Sequence, residues 1–99
     1  MARLNIDADR VAQFCKENAI REFALFGSVT RNDFGPRSDI DVLVEFEAEA
    51  QIGLLALARL SKELSALFGR KVDLVTVNSL SPYLRDRVLA TKEVIYGRA

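Results

Sequence analysis

Residues 21–46, REFALFGSVTRNDFGPRSDIDVLVEF, hold two apolar runs separated by a polar segment. The runs REFALF (21–26) and DIDVLVEF (39–46) are rich in branched and aromatic residues, which is typical of β-strands. Between them, RNDFGPRS contains Gly35 and Pro36, and this pair disfavours a helix. The stretch therefore predicts two strands joined by a turn-rich loop.

Helices are predicted on both sides of this pair of strands. Apolar residues recur at helical spacing over 8–18 after Asp7, a residue that can cap a helix, so an amphipathic helix is expected there. A second helix is predicted over 52–68 and ends at Gly69, a natural left-handed cap position. Its apolar stripe consists of five leucines: Leu54, Leu57, Leu60, Leu64 and Leu67.

The last third of the chain predicts one further strand, one helix and a short terminal element. KVDLVTV (71–77) has the branched residues of a third strand, and 79–90 reads as a helix with Ser81 as its cap and Pro82 in its first turn. KEVIYG (92–97) is expected to form a short strand or an extended tail. No repeat or linker interrupts this order, so we expect one domain over 1–99 of the α+β class, a two-layer fold in which helices cover a small mixed sheet.

Composition narrows the classes of function. Fourteen Lys and Arg balance fourteen Asp and Glu, so the chain has no net field to hold a long nucleic acid by counterion release. The longest strongly apolar stretch, IGLLALARL, is half a membrane span, and the first ten residues have no apolar signal core. We therefore expect no membrane partner, and a cytoplasmic protein by default.

The chain contains one cysteine and no histidine. An internal disulfide is therefore excluded, and neither a zinc site nor a Ser-His-Asp triad can be built from this chain alone. Any bound metal must use oxygen ligands. Cys15 shares the apolar stripe of the first helix and is expected to be buried as a small hydrophobe.

Two acids stand one residue apart at the start of the second predicted strand. Because side chains of a strand alternate between faces, Asp39 and Asp41 point to the same side, with Cα atoms roughly 6.5 to 7 Å apart. Such carboxylates repel each other unless a counterion is present, and a magnesium ion would supply one. Asp73 lies among apolar residues of the third predicted strand. If that strand pairs with the second, three acids converge.

Gly27 and Ser28 stand where the first predicted strand ends. A strand followed by a short helical turn presents backbone N–H groups to an anion, and the two residues would admit and bind a phosphate. Each motif alone also has a structural explanation, because a Gly-Ser pair is a common turn and an Asp-x-Asp is often a solvated strand entry. Their spacing, together with the third acid, favours a site for phosphoryl or nucleotidyl transfer.

The segment GSVTRNDFGPRSDIDVLV resembles the signature of minimal nucleotidyltransferases of the DNA polymerase beta superfamily: Gly-Ser, ten residues, then Asp-x-Asp. KVDLVTV is similar to the later strand of that family, which carries its third carboxylate. The resemblance implies the polymerase beta-type fold, ATP as substrate, and two magnesium ions bound by Asp39, Asp41 and Asp73. It also implies that Asp73 helps to deprotonate an acceptor hydroxyl.

The resemblance further implies nucleotide-binding roles in the first half of the chain. Gly27 and Ser28 would hold the triphosphate, and Arg31 and Ser38 fall where the family often has such residues. Arg31 could equally form a surface ion pair with Asp33 in a polar loop. Other basic residues are not expected in the site: Arg70 and Lys71 favour the end of the long helix, and Arg85 and Arg87 flank a helix in solvent.

Small prokaryotic proteins of this family resemble the antitoxin half of two-component modules whose partner is a HEPN ribonuclease toxin. The implied reaction is transfer of AMP from ATP to a tyrosine hydroxyl of the toxin, which silences it. Two alternatives remain open. The chain could neutralise its partner by masking without catalysis, or it could modify a small molecule such as an aminoglycoside, although no acceptor domain is recognised in these residues.

Overall fold

The computed structural model describes residues 7–27 and 39–97. Ser28, Arg31 and Ser38, three of the predicted nucleotide-binding residues, lie outside these ranges. The elements occur in the predicted order: α1 (Ala8–Glu17), β1 (Ile20–Phe26), β2 (Ile40–Phe46), α2 (Leu54–Phe68), β3 (Val72–Thr76), a 3-10 turn (Val77–Ser79), α3 (Pro82–Thr91) and β4 (Glu93–Gly97). The terminal segment is thus a strand, and α2 begins two residues later than its sequence pattern suggests.

The predicted caps define the ends of the helices. The Asp7 carboxylate accepts hydrogen bonds from two backbone N–H groups in the first turn of α1, at 3.1 and 3.2 Å. Gly69 ends α2 in the left-handed conformation at φ 73°. The Ser81 hydroxyl accepts a hydrogen bond from the backbone N–H of Leu84 at 3.3 Å, and Pro82 opens α3. These contacts satisfy backbone groups that a helix end leaves unpaired.

The four strands form one mixed sheet in the order β3-β2-β1-β4. β1 pairs antiparallel with β2 and with β4, whereas β2 pairs parallel with β3. A parallel pair needs a long connection that returns the chain to the same edge of the sheet, and α2 supplies it. The chain is therefore α+β with a small mixed sheet, as its sequence predicts.

The two faces of the sheet carry different cores, because side chains of a strand alternate. On one face, α1 and α2 bury apolar residues of β1, β2 and β3. This core includes Val11, Cys15, Ile20, Phe23, Leu25, Ile40, Val42, Val44, Leu60, Leu64, Val72 and Leu74. On the opposite face, a smaller core joins Leu43 of β2 to Val88 of α3 and to Leu80. α3 therefore covers the face that bears Asp41.

Two serines of α2 fix the position of β3. The Ser65 hydroxyl accepts a hydrogen bond from the backbone N–H of Val72 at 2.9 Å and donates one to the Ser61 carbonyl at 2.8 Å. The Ser61 hydroxyl donates to the Val72 carbonyl at 2.5 Å. These bonds tie the first residue of β3 to the helix that precedes it, and so they help to set the register that places Asp73.

The leucine stripe of α2 is buried only in its middle. Leu60 and Leu64 are buried, but Leu54, at the first residue of the helix, is 85% exposed. Its neighbour Leu55 is 89% exposed. The first leucine of the stripe therefore lies outside the core. In the described part of the chain, no helix is long and apolar enough to cross a membrane.

Candidate functional site

Asp41 lies at the centre of a row of three residues that crosses the sheet. In the antiparallel ladder it is opposite Phe26 of β1, and in the parallel ladder it is opposite Asp73 of β3. Because paired residues carry their side chains on the same face, Asp41 and Asp73 share the face that α3 covers. Asp39 precedes β2 by one residue and is half-exposed.

Gly27 allows the Asp41 side chain to lie directly against the end of β1. A Cβ atom added at residue 27 would contact Oδ2 of Asp41, and it would lie 3.1 Å from the Cγ atom and 3.3 Å from the Cβ atom of Asp41. Gly27 also has φ 76°, in the left-handed region where side chains are strained. Glycine is thus required here twice, by the backbone conformation and by the close approach of the carboxylate.

The Asp39 carboxylate is directed toward a lysine in this structure. Asp39 Oδ2 lies 3.9 Å from Lys71 Nζ, and the backbone N–H of Ile40 donates to the Lys71 carbonyl at 2.9 Å. Lys71 thus follows the end of α2 and also forms an ion pair with a candidate ligand. Within 7–27 and 39–97, no three acidic side chains gather closely enough to hold a metal as they stand.

A cavity of about 570 Å³ opens beside Asp41, between the end of β1 and α3. Its walls consist of Phe26, Gly27, Asp41, Leu84, Arg87, Val88 and Thr91. This volume is in the range of small-molecule sites. Asp41 is the carboxylate that faces the cavity, whereas the described residues Asp39 and Asp73 do not line it.

The two arginines of α3 have different environments. Arg85 is half-buried and donates from Nε to the Val77 carbonyl at 3.3 Å and from a terminal nitrogen to the Leu80 carbonyl at 3.2 Å. The expectation that Arg85 flanks a helix in solvent is therefore wrong, because it holds the 3-10 turn to α3. Arg87 is exposed, but it lines the cavity beside Asp41.

Sequence reasoning missed the contribution of α3 to this cavity. Leu84, Arg87 and Thr91 follow one another at spacings of three and four, so they share one face of the helix. That spacing was visible in the sequence. The spacing does not indicate that this face of α3 lies over the end of β1. That placement depends on the packing of Val88 against Leu43 on the second face of the sheet.

Cys15 takes no part in the site. Its side chain is fully buried in the core under α1, as predicted, and burial raises the pKa of the thiol to about 12. A thiol in such surroundings is protonated at neutral pH and is a poor nucleophile.

Comparison with known families and structures gives consistent matches. A family model described as a nucleotidyltransferase domain matches residues 8–95. The protein adenylyltransferase MntA of Thermococcus cleftensis is 40% identical over 77 residues, which span 78% of this chain and 74% of that protein. A relative in Methanocaldococcus jannaschii, named in the same adenylyltransferase class, is 44% identical over 73 residues, 74% of this chain and 76% of its own.

Two solved structures share the fold at low sequence identity. A crystal structure of a toxin-antitoxin with AMP-PNP has a TM-score of 0.77 at 23% identity, over 94% of this chain and 75% of the other. The complex of a tri-AMPylated Shewanella oneidensis HEPN toxin with its MNT antitoxin has a TM-score of 0.68 at 22% identity, over 92% and 70% of the two chains. Identities this low speak for the fold alone.

Proposed function

The chain belongs to the nucleotidyltransferase domain family, as its Gly-Ser and Asp-x-Asp stretch predicts, and from this membership we propose that it transfers AMP from ATP to a hydroxyl of a partner protein. The observation that carries the proposal is the position of Asp41, which lies against Gly27 and opposite Asp73. One carboxylate lies in a glycine cradle at the wall of a nucleotide-sized cavity, and a second is opposite it in the sheet.

The donor set fits magnesium. Asp39, Asp41 and Asp73 offer hard carboxylate oxygens, which Mg²⁺ prefers; Asp41 and Asp73 are opposite each other in the sheet, and Asp39 is two residues before Asp41. In this proposal Asp39, released from Lys71, would hold the metal together with Asp41 and Asp73. The chemistry that magnesium supplies when bound is neutralisation of charge on the phosphates and on the attacking and departing oxygens.

The proposed reaction is an in-line displacement. The acceptor oxygen forms a bond to the α-phosphorus of ATP while the bond from that phosphorus to the bridging oxygen breaks, and pyrophosphate leaves with the bonding electrons. Asp73 takes the proton of the acceptor hydroxyl. Gly27, with Ser28, Arg31 and Ser38, orients the triphosphate so that the α-phosphorus faces the acceptor.

For the acceptor we propose a tyrosine of a HEPN ribonuclease toxin, which makes the chain an antitoxin. Support comes from relatives that are named protein adenylyltransferases and from a fold neighbour that is an MNT antitoxin bound to an AMPylated HEPN toxin. The exposed apolar residues at the start of α2, Leu54 and Leu55, give such a partner a surface to bind. The alternative is that the chain masks the toxin without catalysis, and the experiments below distinguish masking from AMP transfer.

The test is transfer of label from ATP carrying a labelled α-phosphate to a co-purified HEPN partner. Wild type should label the partner in the presence of magnesium, and Asp39→Asn and Asp41→Asn should each abolish the label. Asp9→Asn, in the first turn of α1, is the matched control because it removes the same charge from the opposite side of the sheet. Undiminished transfer by both site variants would refute the catalytic assignment.

Toxin neutralisation in cells separates catalysis from masking. If AMP transfer is the mechanism, cells that carry the toxin with Asp41→Asn should stop growing, while cells with Asp9→Asn grow. Growth that is rescued equally by Asp41→Asn and wild type would favour masking. Nucleotide binding gives an independent readout, because magnesium with ATP should raise the Tm of wild type and raise that of Asp39→Asn far less.

A further inference from the structure

Among the residues that the structure describes, Arg87 is the one cationic residue that lines the cavity beside Asp41. Its side chain forms no hydrogen bond or ion pair with any residue of the described ranges, and only its backbone carbonyl is engaged, by the Thr91 hydroxyl at 2.8 Å. Arg85, two residues earlier, uses its guanidinium to hold two backbone carbonyls. Of the two arginines on α3, Arg87 is thus the one whose donors are available to a ligand.

The electrostatics of the cavity explain what such a guanidinium would bind. Within residues 7–27 and 39–97, Arg87 and Asp41 are the two charged residues of the wall, and they stand on different elements, α3 and β2. If the carboxylates on the sheet side bind cations, as proposed above, positive charge on the helix side further stabilises a polyanionic ligand held between sheet and helix. Arginine binds phosphate through two parallel N–H donors and cannot lose its proton at neutral pH.

We infer that Arg87 forms a phosphate subsite of this cavity and binds the triphosphate of the nucleotide from the α3 side, an inference that rests on the proposed function. The apolar residues Leu84, Val88 and Phe26 line the same cavity beside the exposed Arg87 side chain. Arg87 is then a substrate-binding residue on an element that the Gly-Ser and Asp-x-Asp motifs do not include.

The competing role for Arg87 is contact with the base, because a guanidinium also stacks on aromatic rings. Tripolyphosphate separates the two roles, since it has the phosphates of ATP and no base. The experiment measures the Kd of ATP and of tripolyphosphate, each with magnesium, by calorimetry for wild type, Arg87→Gln and Arg87→Lys. Arg59→Gln is the matched control: it removes one arginine from the exposed side of α2, where Arg59 pairs with Glu63 at 2.9 Å.

Arg87→Gln should weaken the binding of tripolyphosphate and of ATP by the same factor, about tenfold or more, which is the usual effect on Kd of losing a charge-assisted hydrogen bond. Arg87→Lys should bind with intermediate affinity because it keeps the charge but loses the paired donors. Arg59→Gln should bind both ligands like wild type. Since Arg87 is exposed, the Tm values of its two variants should stay near that of wild type.

A tripolyphosphate Kd for Arg87→Gln within twofold of wild type would overturn the inference, and so would a loss confined to ATP, which would indicate a base contact. The proposed function and the subsite are refuted by different outcomes. Wild type that binds tripolyphosphate through Arg87 but transfers no label to a partner would leave the subsite standing and remove the reaction. Label transfer by Arg87→Gln at the wild-type rate and KM would leave the reaction standing and remove the subsite.

Discussion

Replacing Gly27 by alanine tests directly whether the close approach of Asp41 to residue 27 matters, and Gly69 provides a matched control. Both glycines are left-handed, at φ 76° and φ 73°. A Cβ at residue 27 would overlap the Asp41 carboxylate, whereas a Cβ at residue 69 would meet nothing within 4 Å. The two variants therefore carry the same backbone strain, and only Gly27→Ala disturbs the site.

The size of each effect follows from these contacts. A left-handed alanine costs about 1 to 2 kcal/mol, so both variants should lose roughly 5 to 15 °C in Tm for a domain of this length. At residue 27 the overlap is relieved only if Asp41 turns away or β2 shifts, and either movement displaces the carboxylate. Displacement of about 1 Å at a reacting centre lowers rates by about a hundredfold.

The assay is label transfer to the partner protein at a temperature at which both variants are fully folded by circular dichroism. Gly69→Ala should transfer label at a rate close to that of wild type, and Gly27→Ala should be about a hundredfold slower. If Gly27→Ala works within threefold of Gly69→Ala, the close approach of residue 27 to Asp41 has no part in the reaction, and the reasoning from the cradle is refuted.

Further predictions concern stability and pH. Burial raises the Cys15 pKa from 9.0 to about 12, so the thiol ionises at lower pH in the unfolded chain, and the free energy of unfolding should fall as pH rises from 9 to 12. In urea titrations, Cys15→Ala should show a smaller fall over this pH range. An equal fall in the free energy of unfolding for both proteins would contradict the prediction. Ser65→Ala removes the acceptor of the Val72 N–H and should lower the free energy of unfolding by about 1 to 3 kcal/mol; an unchanged urea midpoint would show that water replaces the serine. Ala19 has φ 57°, so Ala19→Gly should raise the free energy of unfolding by up to about 1 kcal/mol, measured as an increase in Tm, and a decrease would mean that glycine's greater freedom in the unfolded chain outweighs the relieved strain.

The elements of the fold were predictable because their signals are local. Runs of branched and aromatic residues and a helical stripe indicate the type of each segment, and single residues such as Asp7, Gly69 and Ser81 indicate where the helices begin or end. The sequence also indicated that Asp39 and Asp41 share a face, which is a property of any strand. The exposure of Leu54 was not predictable, since the sequence does not say how far α2 extends beyond the sheet.

Part of the site depends on which strands are neighbours. Asp73 lies 32 residues after Asp41 in the sequence, and its position opposite Asp41 follows from the return of the chain through α2 and from the bonds of Ser61 and Ser65 to β3. The pairing of Lys71 with Asp39 has the same origin. From the sequence alone, the approach of Asp73 to Asp41 depended on β3 lying beside β2, and the sequence could not establish that the two strands are neighbours.

By itself, the sequence determined the types and order of the elements, the oxygen-only chemistry of any metal site and the motif that identifies the family, because each is a local pattern or a count of residue types. Only the tertiary structure decided that Asp41 rests against Gly27, that Arg85 is structural, and that Arg87 faces the cavity. Those facts depend on contacts between segments far apart in the chain, where packing of α3 on the second face of the sheet selects one arrangement.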